Sequence, residues 1–451
     1  MAKRFHIEGL IQELRQVPEL ELIESISDRK RFSRDFYDYS PVLIEILSTC
    51  CADVVVRPLS VEAVICVVSA CKKRMIPLTI RGAGTGNYGQ CVPLENGVVM
   101  LMSGLNKIRE FDNSTGEVTV ESGCLIRDVN DYLISNRRQL RLTPSTWRSS
   151  SVAGFISGGS GGIGSVRWGF LRDPGHLLGL EIVSACESPG VLTLDAQSAE
   201  ALNHAYGTNG VITALKISTT SFVSWQEMTI DCSNWSTALE IFQSCATAAI
   251  DIYLLTLLEG EIVESLPKWC GLNKYGPRIL ILVAPDGVGT IKRIASSFAA
   301  SSNLLGSEDL KSGTVLRELT WNHTTLHMRS IDSSWTYLQM LLPQPEIRLI
   351  DLIKDKWKDD VLWHLESVRQ QGVQRIAGLP VVRWRGKEKL EELIQDCSNN
   401  GAVIFNPHVI TVEDGGLGVV DSDQVKAKTR FDPNGILNPG KLKGWVGSKT
   451  F

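Results

Sequence analysis

A glycine-rich loop directly after a short apolar strand is the part of the chain best suited to hold an anion. Residues 77–93 contain both, and four glycines fall within eight residues of the loop: Gly82, Gly84, Gly86 and Gly89. Because glycine has no Cβ, its backbone adopts positive φ without strain, and successive N–H groups can converge on one bulky anion such as a pyrophosphate. Residues 84–89 also spell G-x-G-x-x-G, but a Rossmann site needs a helix at the third glycine, and Pro93 leads into another apolar strand instead.

A second glycine field spans residues 144–169, with seven glycines between 149 and 169. A flexible linker has such a composition. However, large apolar side chains, which a solvated linker does not need, are interleaved with these glycines: Phe155, Ile156, Ile163, Val166 and Trp168. Residues 158–162 match the hydrolase pattern G-x-S-x-G, but a nucleophile elbow needs a strand before Ser160 and a helix after it, and the following glycines disfavour a helix. We therefore interpret the field as a packed loop.

The elements around these loops predict two kinds of architecture. Apolar residues at helical spacing after Ser60 predict a helix over 61–71, followed by a strand, the first loop and a strand at 97–102. From residue 223 to 402 strands alternate with amphipathic helices. The predicted helices there are 234–249, 288–300, 351–370 and 387–397, and the predicted strands are 252–258, 278–284 and 378–384. Two βαβ-like halves on an antiparallel sheet suit this pattern.

Four motifs in order resemble the FAD-linked oxidase family of the p-cresol methylhydroxylase and vanillyl-alcohol oxidase fold. The nearest branch is that of the glycolate oxidase flavin subunit and the D-lactate dehydrogenases. The motifs are Arg-Gly-Ala-Gly-Thr at 81–85, the field from Pro144 through Arg167-Trp168-Gly169 to Asp173, Gly-Thr-Asn-Gly-Val-Ile-Thr at 207–213, and Asp-Pro-Asn-Gly-Ile-Leu-Asn-Pro-Gly-Lys at 432–441. They extend over nearly the whole chain, whereas residues 223–409 match far less specifically.

The resemblance implies an α+β fold, with a PCMH-type FAD-binding domain of two α/β subdomains and a ferredoxin-like substrate cap. It implies an N-terminal arm and FAD domain in 1–222, the cap in 223–409, and a C-terminal segment in 410–451 that returns to the FAD domain. The residues implied to contact FAD are Arg81, Gly82, Ala83, Gly84, Thr85, Gly86, Asn87, Gly89, Pro144, Ser145, Ser151, Val152, Ala153, Gly154, Gly158, Gly161, Gly162, Trp168, Gly169, Asp173, Gly210, Val211, Ile212 and Asn438.

Departures from the family concern the attachment of FAD and a metal. Members with a covalent flavin often have a histidine where this chain has Thr85, so we expect non-covalent FAD. Cys91, which is close to the first loop, is the alternative attachment point for a covalent flavin. The other interpretation of Cys91 is a buried thiol that packs as an apolar side chain. The D-lactate and 2-hydroxyglutarate branch carries His-x-Gly-Asp-Gly-Asn as a metal motif. Residues 405–416 are the nearest analogue here and do not match it, so no metal is predicted.

Composition excludes other classes of protein. A chain of 451 residues exceeds one comfortable core, which predicts two domains. With 46 basic and 50 acidic residues, a net charge of −4 and no basic tract, the chain does not suit nucleic acid. No signal-like or membrane-spanning apolar run is present, which predicts a cytoplasmic protein without an integral membrane segment. The 11 cysteines are scattered without C-x-x-C spacing, so we expect reduced thiols rather than disulfides or an iron–sulfur domain.

Two of the seven histidines are candidates for proton transfer. His323 lies in a polar, loop-like stretch between tryptophans, and His408 follows Asn406-Pro407 after an apolar strand. A neutral imidazole near pH 7 can remove a hydroxyl proton while hydride passes to a flavin. Either histidine could instead be a hydrogen-bonded structural residue. An anionic substrate also needs a cation, and the candidates are Arg329, Arg383, Arg385 and Lys441.

The chain is therefore predicted to be an FAD-dependent oxidoreductase that dehydrogenates the CH–OH group of a small 2-hydroxy acid or related polar substrate and passes the electrons to an acceptor. An NADPH-dependent reductase of the same fold is the alternative among enzymes, although no nicotinamide site is visible. A third interpretation is a non-catalytic flavoprotein subunit of a larger oxidase complex. A homodimer or an oxidase-complex partner is compatible with the sequence.

Overall fold

The computed structural model describes residues 7–267, 276–311 and 315–447. The first sheet has the order β1-β2-β4-β3, with β2, β4 and β3 parallel and β1 antiparallel at the edge. Its strands are β1 (Leu20–Ile23), β2 (Val54–Pro58), β3 (Leu78–Arg81) and β4 (Val98–Leu101). The accompanying helices are α1 (Ile7–Leu14), α2 (Ile26–Phe32), α3 (Pro41–Leu47) and α4 (Val61–Lys73). Helix α4 begins where the Ser60 hydroxyl accepts the Ala63 N–H at 3.3 Å.

The second sheet has the order β5-β6-β10-β8-β9, and β7 also pairs with the long strand β10. Its strands are β5 (Ile108–Asp112), β6 (Glu117–Glu121), β7 (Arg138–Leu140), β8 (Leu177–Val183), β9 (Val191–Asp195) and β10 (Val211–Ser221). Its helices are α5 (Ile126–Ser135), α6 (Val152–Gly158), α7 (Ser165–Trp168) and α8 (Ala196–Ala199). The first glycine loop leaves β3 of the first sheet, and the second glycine field contains α6 and α7 of the second. The two loops therefore meet between the two sheets.

The region after β10 forms an eight-stranded sheet with the order β14-β11-β13-β12-β18-β19-β16-β21. Its first half contains β11 (Gln226–Asp231), α9 (Trp235–Thr247), β12 (Ile252–Leu258), α10 (Gly260–Ser265), β13 (Arg278–Val283), α11 (Val288–Ser297) and β14 (Ser301–Ser307). The strand order β14-β11-β13-β12, with α9 and α11 as the crossover helices, is a ferredoxin-like split βαβ unit.

The second half repeats this arrangement in mirror order and joins the first through β12 and β18. It contains α12 (Asn322–Ile331), β15 (Trp335–Tyr337), β16 (Met340–Leu341), α13 (Glu346–Trp357), β17 (Val361–Leu362), β18 (His364–Gln370), β19 (Val373–Gly378), β20 (Val381–Arg383), α14 (Lys387–Asn399) and β21 (Val403–Ile404). Strands β15, β20 and β17 form a separate small sheet. The predicted pair of βαβ-like halves on an antiparallel sheet is confirmed. The eight-stranded and small sheets with their helices are called the cap below.

The chain then returns to the first sheet through α15 (Val412–Gly415) and α16 (Ser422–Phe431). Leu437 forms a parallel bridge with Leu78 of β3, and the Asn438 N–H donates to the Leu78 carbonyl at 2.9 Å. Short 3-10 helices complete the description: Tyr37–Tyr39, Met102–Gly104, Glu200–Leu202, Pro285–Gly287, Leu316–Leu319 and Lys358–Asp360. The domain limits 1–222, 223–409 and 410–451 stay predictions, and their outermost residues, 1–6 and 448–451, lie outside the described residues.

Two predicted elements are wrong in detail. The predicted helix 351–370 ends at Trp357, because Lys358 has a φ of +46°, and residues 361–370 then form strands β17 and β18. His364 and Glu366 of β18 are buried and bonded to each other, which the helical spacing did not reveal. Conversely, the stretch around His323 is not a loop but the first turn of α12. Both errors come from long-range packing that overrides local preference.

The cap sheet covers the second glycine field. Strands β12 and β13 are buried along their whole lengths, as expected of central strands packed on both faces. One face packs on α9, α11, α13 and α14. On the opposite face, Leu254 and Leu280 share an apolar cluster with Ile163 and Trp168 of the glycine field. Within the described ranges, every helix is too short or too polar to cross a lipid bilayer.

Candidate functional site

A cavity of about 660 Å³ lies where the two glycine loops, the cap and the returning segment meet. Its volume is within the range of about 300–1,000 Å³ that is typical of small-molecule and cofactor sites. The two loops line the cavity with backbone. The cap contributes polar side chains of α12 and the side chain of Gln339, which directly precedes β16, and the returning segment contributes residues around Glu413. The two glycine loops, the cap and the returning segment therefore all contribute residues to the wall of this cavity.

Backbone donors of the first loop face this cavity. Residues 82–87 all line it, and no described residue accepts a hydrogen bond from their backbone N–H groups. Gly84 has a φ of +73° and Gly89 a φ of +69°, so the loop uses the conformation that only glycine adopts without strain. Successive backbone N–H groups without a protein partner can bind one anion together. A diphosphate supplies several acceptors at once, so the loop fits such a group.

The two glycine loops are in direct contact, which leaves no room for side chains at the junction. A Cβ on Gly82 would overlap the Ser151 hydroxyl, which caps α6 by accepting the Gly154 N–H at 3.3 Å. Next to this contact, the hydroxyl oxygens of Thr85 and Ser150 are 2.8 Å apart. Farther along, a Cβ on Gly162 would overlap the Thr143 carbonyl. The field is therefore a packed loop, and the helix α6, rather than a strand, precedes Ser160, so no nucleophile elbow forms.

Most of the predicted FAD contacts line the cavity. They are Gly82, Ala83, Gly84, Thr85, Gly86, Asn87, Pro144, Ser145, Ser151, Ala153, Gly154, Gly158, Gly161, Gly162, Asp173, Gly210 and Ile212. The other predicted contacts, which do not line it, are Arg81, Gly89, Val152, Trp168, Gly169, Val211 and Asn438. Of these seven, Val152 and Val211 pack in apolar cores, and the Asn438 amide donates to the carbonyls of Tyr206 and Gln90 at 2.6 and 2.8 Å.

A buried charged cluster supports the first loop from behind. The Arg81 guanidinium donates to the Arg34 carbonyl at 2.6 Å and to the Cys91 sulfur at 3.2 Å. Burial raises the pKa of Asp35 to about 6, against the opposing effect of Lys441 and Arg81. Burial lowers the pKa of Lys441 to about 8, and its ammonium donates to the Gly89 carbonyl at 2.6 Å. Lys441 is therefore a loop support and not a substrate contact, because its charge is enclosed by this cluster.

Cys91 lines the cavity, next to the first loop. Burial raises the pKa of its thiol to about 11, so at neutral pH the sulfur is protonated. Because the thiolate is the nucleophilic form, this environment disfavours attack by the sulfur on a bound group.

The cap contributes Asn322 and His323 at the first turn of α12. Both line the cavity, and the Nδ1 atom of His323 is buried without a hydrogen-bond partner among the described residues. Burial, reinforced by the nearby His327, lowers the pKa of His323 from 6.5 to about 4. The imidazole is therefore neutral at pH 7 and able to accept a proton.

Glu366 fixes the start of α12. Its buried carboxylate accepts hydrogen bonds from the Trp321 N–H at 3.0 Å and from the Thr256 hydroxyl at 2.6 Å, and it lies 2.8 Å from His364 Nε2. Trp321 itself has a φ of +51°, a strained value for a tryptophan. These bonds hold the strained residue that precedes Asn322 and His323, so the site is anchored in the interior of the cap.

A hydrogen-bonded chain links the first loop to α12 across the cavity. The Tyr88 hydroxyl donates to Gln339 Oε1 at 2.7 Å, and Gln339 Nε2 donates to Asn322 Oδ1 at 2.9 Å. Sequence reasoning missed Gln339 and assigned no role to Tyr88 or Asn322. The available signal was a single polar residue, Gln339, within the apolar run 337–342.

His408 is not at the cavity, which corrects its prediction as a base. The side chain is buried, with Nδ1 2.7 Å from the Ser40 hydroxyl and Nε2 2.9 Å from the Tyr337 carbonyl. Because a carbonyl oxygen can only accept, Nε2 carries the hydrogen and donates to Tyr337. In the neutral ring Nδ1 is then the acceptor, and it accepts from the Ser40 hydroxyl. Both nitrogen atoms are therefore occupied. Burial lowers the pKa of His408 to about 4, and the ring ties the N-terminal segment to the cap.

The three arginines predicted to bind an anionic substrate also lie elsewhere. Arg329 donates to the carbonyls of Ser333 and Trp335 at 3.0 and 2.6 Å. Arg383 pairs with Asp332 at 2.8 Å, and Arg385 pairs with Asp360 at 2.9 Å. Each guanidinium is satisfied by its own neighbourhood, which sequence spacing could not reveal, and none of the three lines the cavity.

Comparison with known proteins identifies the loop-bearing part of the chain. Residues 52–187 match a family model described as an FAD binding domain. The D-2-hydroxyglutarate dehydrogenase of Danio rerio is 29% identical over 205 residues, which is 43% of this chain and 38% of that protein. The glycolate oxidase subunit GlcD of Bacillus subtilis is 30% identical over 133 residues, which is 30% of this chain and 28% of that protein. This chain thus covers well under half the length of these two relatives.

The D-lactate dehydrogenase of Archaeoglobus fulgidus matches over a longer stretch. It is 23% identical over 421 residues, and the match covers 86% of this chain and 91% of that protein. Among solved structures, an alkyldihydroxyacetonephosphate synthase has a TM-score of 0.71 at 15% identity, covering 98% of this chain and 86% of the other. A Physcomitrella patens BBE-like 1 variant has a TM-score of 0.67 at 12% identity, covering 96% and 98%. The predicted fold is confirmed, and FAD is the cofactor of the matched domain.

Proposed function

We propose that the chain is an FAD-dependent oxidoreductase that dehydrogenates the CH–OH group of a small polar hydroxy compound. The observation that carries the proposal is the shared cavity, in which the FAD loops face the neutral His323 of the cap. The names of the relatives support a hydroxy substrate, since glycolate, D-lactate and D-2-hydroxyglutarate all contain a CH–OH group.

The residues that would hold FAD are those of the two glycine loops. The unpaired N–H groups of residues 82–87 would bind its diphosphate, and the backbone around Gly154 and Gly162 would form the opposite wall. When bound, FAD supplies the acceptor for the hydride that leaves the substrate carbon.

His323 would remove the hydroxyl proton. Burial lowers its pKa to about 4, so the ring is neutral through the physiological range. Its Nδ1 atom has no hydrogen-bond partner among the described residues, which leaves it free to meet the substrate hydroxyl. The Trp321 N–H bond to Glu366 fixes the first turn of α12 and hence the position of the imidazole. The proton passes to the imidazole while the hydroxyl oxygen becomes a carbonyl.

The test is anaerobic mixing of the purified flavoprotein with hydroxy acids, their amides and simple alcohols, while flavin absorbance is followed. We expect at least one compound to bleach the flavin. His323→Asn should retain FAD but slow bleaching by about 10²–10⁴-fold, the usual contribution of a general base. Ser330→Asn, at an exposed position of the same helix and outside the cavity lining, is the control and should bleach near the parental rate. If His323→Asn bleaches as fast as the parent, the base lies elsewhere; if no compound bleaches the flavin, the proposed activity is wrong.

Assembly and location are separate proposals. The name of the Bacillus subtilis relative designates a subunit, which supports a partner chain for this protein as well. Light scattering of the purified holoprotein distinguishes a monomer from a homodimer, and co-purification from the native source tests for an oxidase complex. The predicted cytoplasmic location can be tested by fractionation.

A further inference from the structure

One part of the cavity lining, where the N-terminal segment and the first loop contact the cap, is built from aromatic rings and side-chain amides. The rings that line it are Phe36, Tyr39, Tyr88, Trp321 and Phe405, and the amides beside them are Asn322 and Gln339. Burial raises the pKa of Tyr39 to about 12, so its hydroxyl stays neutral. Aromatic faces and neutral amides bind apolar or polar uncharged groups well. They do not compensate the charge of a buried carboxylate.

The hydrogen-bonded chain fixes the direction of the Asn322 amide. Tyr88 donates to Gln339 Oε1, so Gln339 Nε2 is the donor to Asn322 Oδ1. The Asn322 NH₂ group is therefore on the other side of its own amide, and no described residue accepts from it. A neutral donor is thus presented beside His323, within the residues that line the cavity. A substrate hydroxyl can accept from the Asn322 amide and donate its proton to the imidazole.

The charged side chains of the described residues that line the cavity provide no unpaired cation for a substrate carboxylate. Among the described residues that line the cavity, Arg172 is the only arginine or lysine, and it is paired with Asp421 at 2.8 Å. Asp173 and Glu413 line the same cavity, and the Glu413 carboxylate already accepts the backbone N–H groups of Lys443 and Gly444. Acidic groups therefore outnumber basic ones at this surface. Like charges at a site are a common way to reject the wrong ligand.

We propose that the cavity selects an uncharged hydroxy compound, held through the Asn322 amide, over the corresponding carboxylate. This inference rests on the proposed function, whose hydroxy substrate it specifies. The Tyr88–Gln339 pair orients the amide, and the aromatic rings contact the body of the substrate. Asn322 is thus the residue that binds the reacting oxygen, and Gln339 is a positioning residue.

Binding of unreactive analogues tests the proposal without turnover. The holoprotein is titrated with phenylacetamide and phenylacetate, and with propionamide and propionate, while the flavin difference spectrum is recorded. We expect each amide to bind at least about tenfold more tightly than its carboxylate, a difference equal to one good hydrogen bond or one uncompensated charge. Equal affinities, tighter carboxylates or no binding of either amide overturn the proposal. Because flavin bleaching is measured separately, failure of the activity and failure of this preference are distinguishable.

Two variants of residues that line the cavity, and one control variant, probe the proposal directly. Asn322→Asp keeps the shape but replaces the NH₂ donor by a charged oxygen, so amide affinity should fall by about tenfold while FAD remains bound. Gln395→Glu, which adds the same charge on an exposed position of α14, should leave both affinities unchanged. Leu326→Arg introduces a cation from α12 at the cavity and should tighten phenylacetate binding, so that the preference narrows or reverses. Unchanged amide affinity in Asn322→Asp, or an unchanged preference in Leu326→Arg, contradicts the proposal.

Discussion

The buried imidazole of His408 makes the stability of the protein depend on pH in a calculable way. Burial lowers the pKa of His408 from 6.5 to about 4. In the unfolded chain the ring takes up a proton below pH 6.5, whereas the folded protein resists it. Its contribution to the free energy of unfolding is therefore fully present above pH 6.5 and is lost as the pH falls toward 4. At about 1.4 kcal/mol per pH unit, the full loss is about 3 kcal/mol, of which about 2 kcal/mol is lost by pH 5.

The assay is urea unfolding followed by tryptophan fluorescence from pH 7.5 to 5, at a fixed excess of FAD because bound cofactor adds to stability. His408→Gln keeps an acceptor and a donor for Ser40 and Tyr337 but does not titrate. We expect it to be less stable than the parent at pH 7.5 and to approach the parent by about 2 kcal/mol at pH 5. The other buried histidines titrate equally in both proteins and cancel in the difference.

Thr336→Val is the matched control, because it removes a nearby hydrogen bond, from the Thr336 hydroxyl to the Tyr39 carbonyl at 2.6 Å, and no titratable group. Its difference from the parent should stay constant across the pH range. A difference between parent and His408→Gln that also stays constant would refute the interpretation of His408 as a neutral tie between the N-terminal segment and the cap.

Three further predictions concern the cofactor and the core. Gly84→Val should abolish FAD binding, because the valine would have to adopt a φ of +73° and would overlap the Arg81 guanidinium. The control Gly386→Val, which has a φ of +104° but lies in open space, should retain FAD. The flavin absorbance of the purified proteins measures the difference. Acid precipitation should release all the flavin into the supernatant, and yellow colour in the washed pellet would indicate attachment at Cys91. Asp432→Asn should destabilise the protein by about 3–5 kcal/mol, because it leaves Lys428 buried without its charge partner; urea unfolding measures this, and a change below about 1 kcal/mol contradicts it.

The positions of the two glycine loops were predictable from the sequence because the need for glycine is local. A Cβ at Gly82 would overlap the Ser151 hydroxyl, and a Cβ at Gly162 would overlap the Thr143 carbonyl, so both positions require glycine. The two βαβ-like halves were also predictable, since alternating apolar strands and amphipathic helices follow from short-range periodicity. Their ferredoxin-like arrangement was implied by the family resemblance.

The catalytic and substrate residues were harder because their roles depend on distant partners. His408 is occupied by Ser40, which lies 368 residues away in the chain, and nothing near His408 in the sequence indicates that contact. The same holds for Arg383 and Asp332, which are 51 residues apart. The polar chain from Tyr88 through Gln339 to Asn322 joins the two halves of the molecule across 251 and 17 residues. Only the three-dimensional structure brings such groups together.

The path of the chain has a consequence for synthesis on the ribosome. Leu437 pairs with Leu78 at the edge of the first sheet, and Lys441 donates to the Gly89 carbonyl under the first glycine loop. Both contacts come from the segment that emerges after the cap. The cap, continuous in sequence, can complete its sheet while the nascent chain is still growing, since domains fold as units during synthesis. The cofactor loop gains these supports only when residues 437–441 leave the exit tunnel, so we expect FAD to bind after the cap has been synthesised.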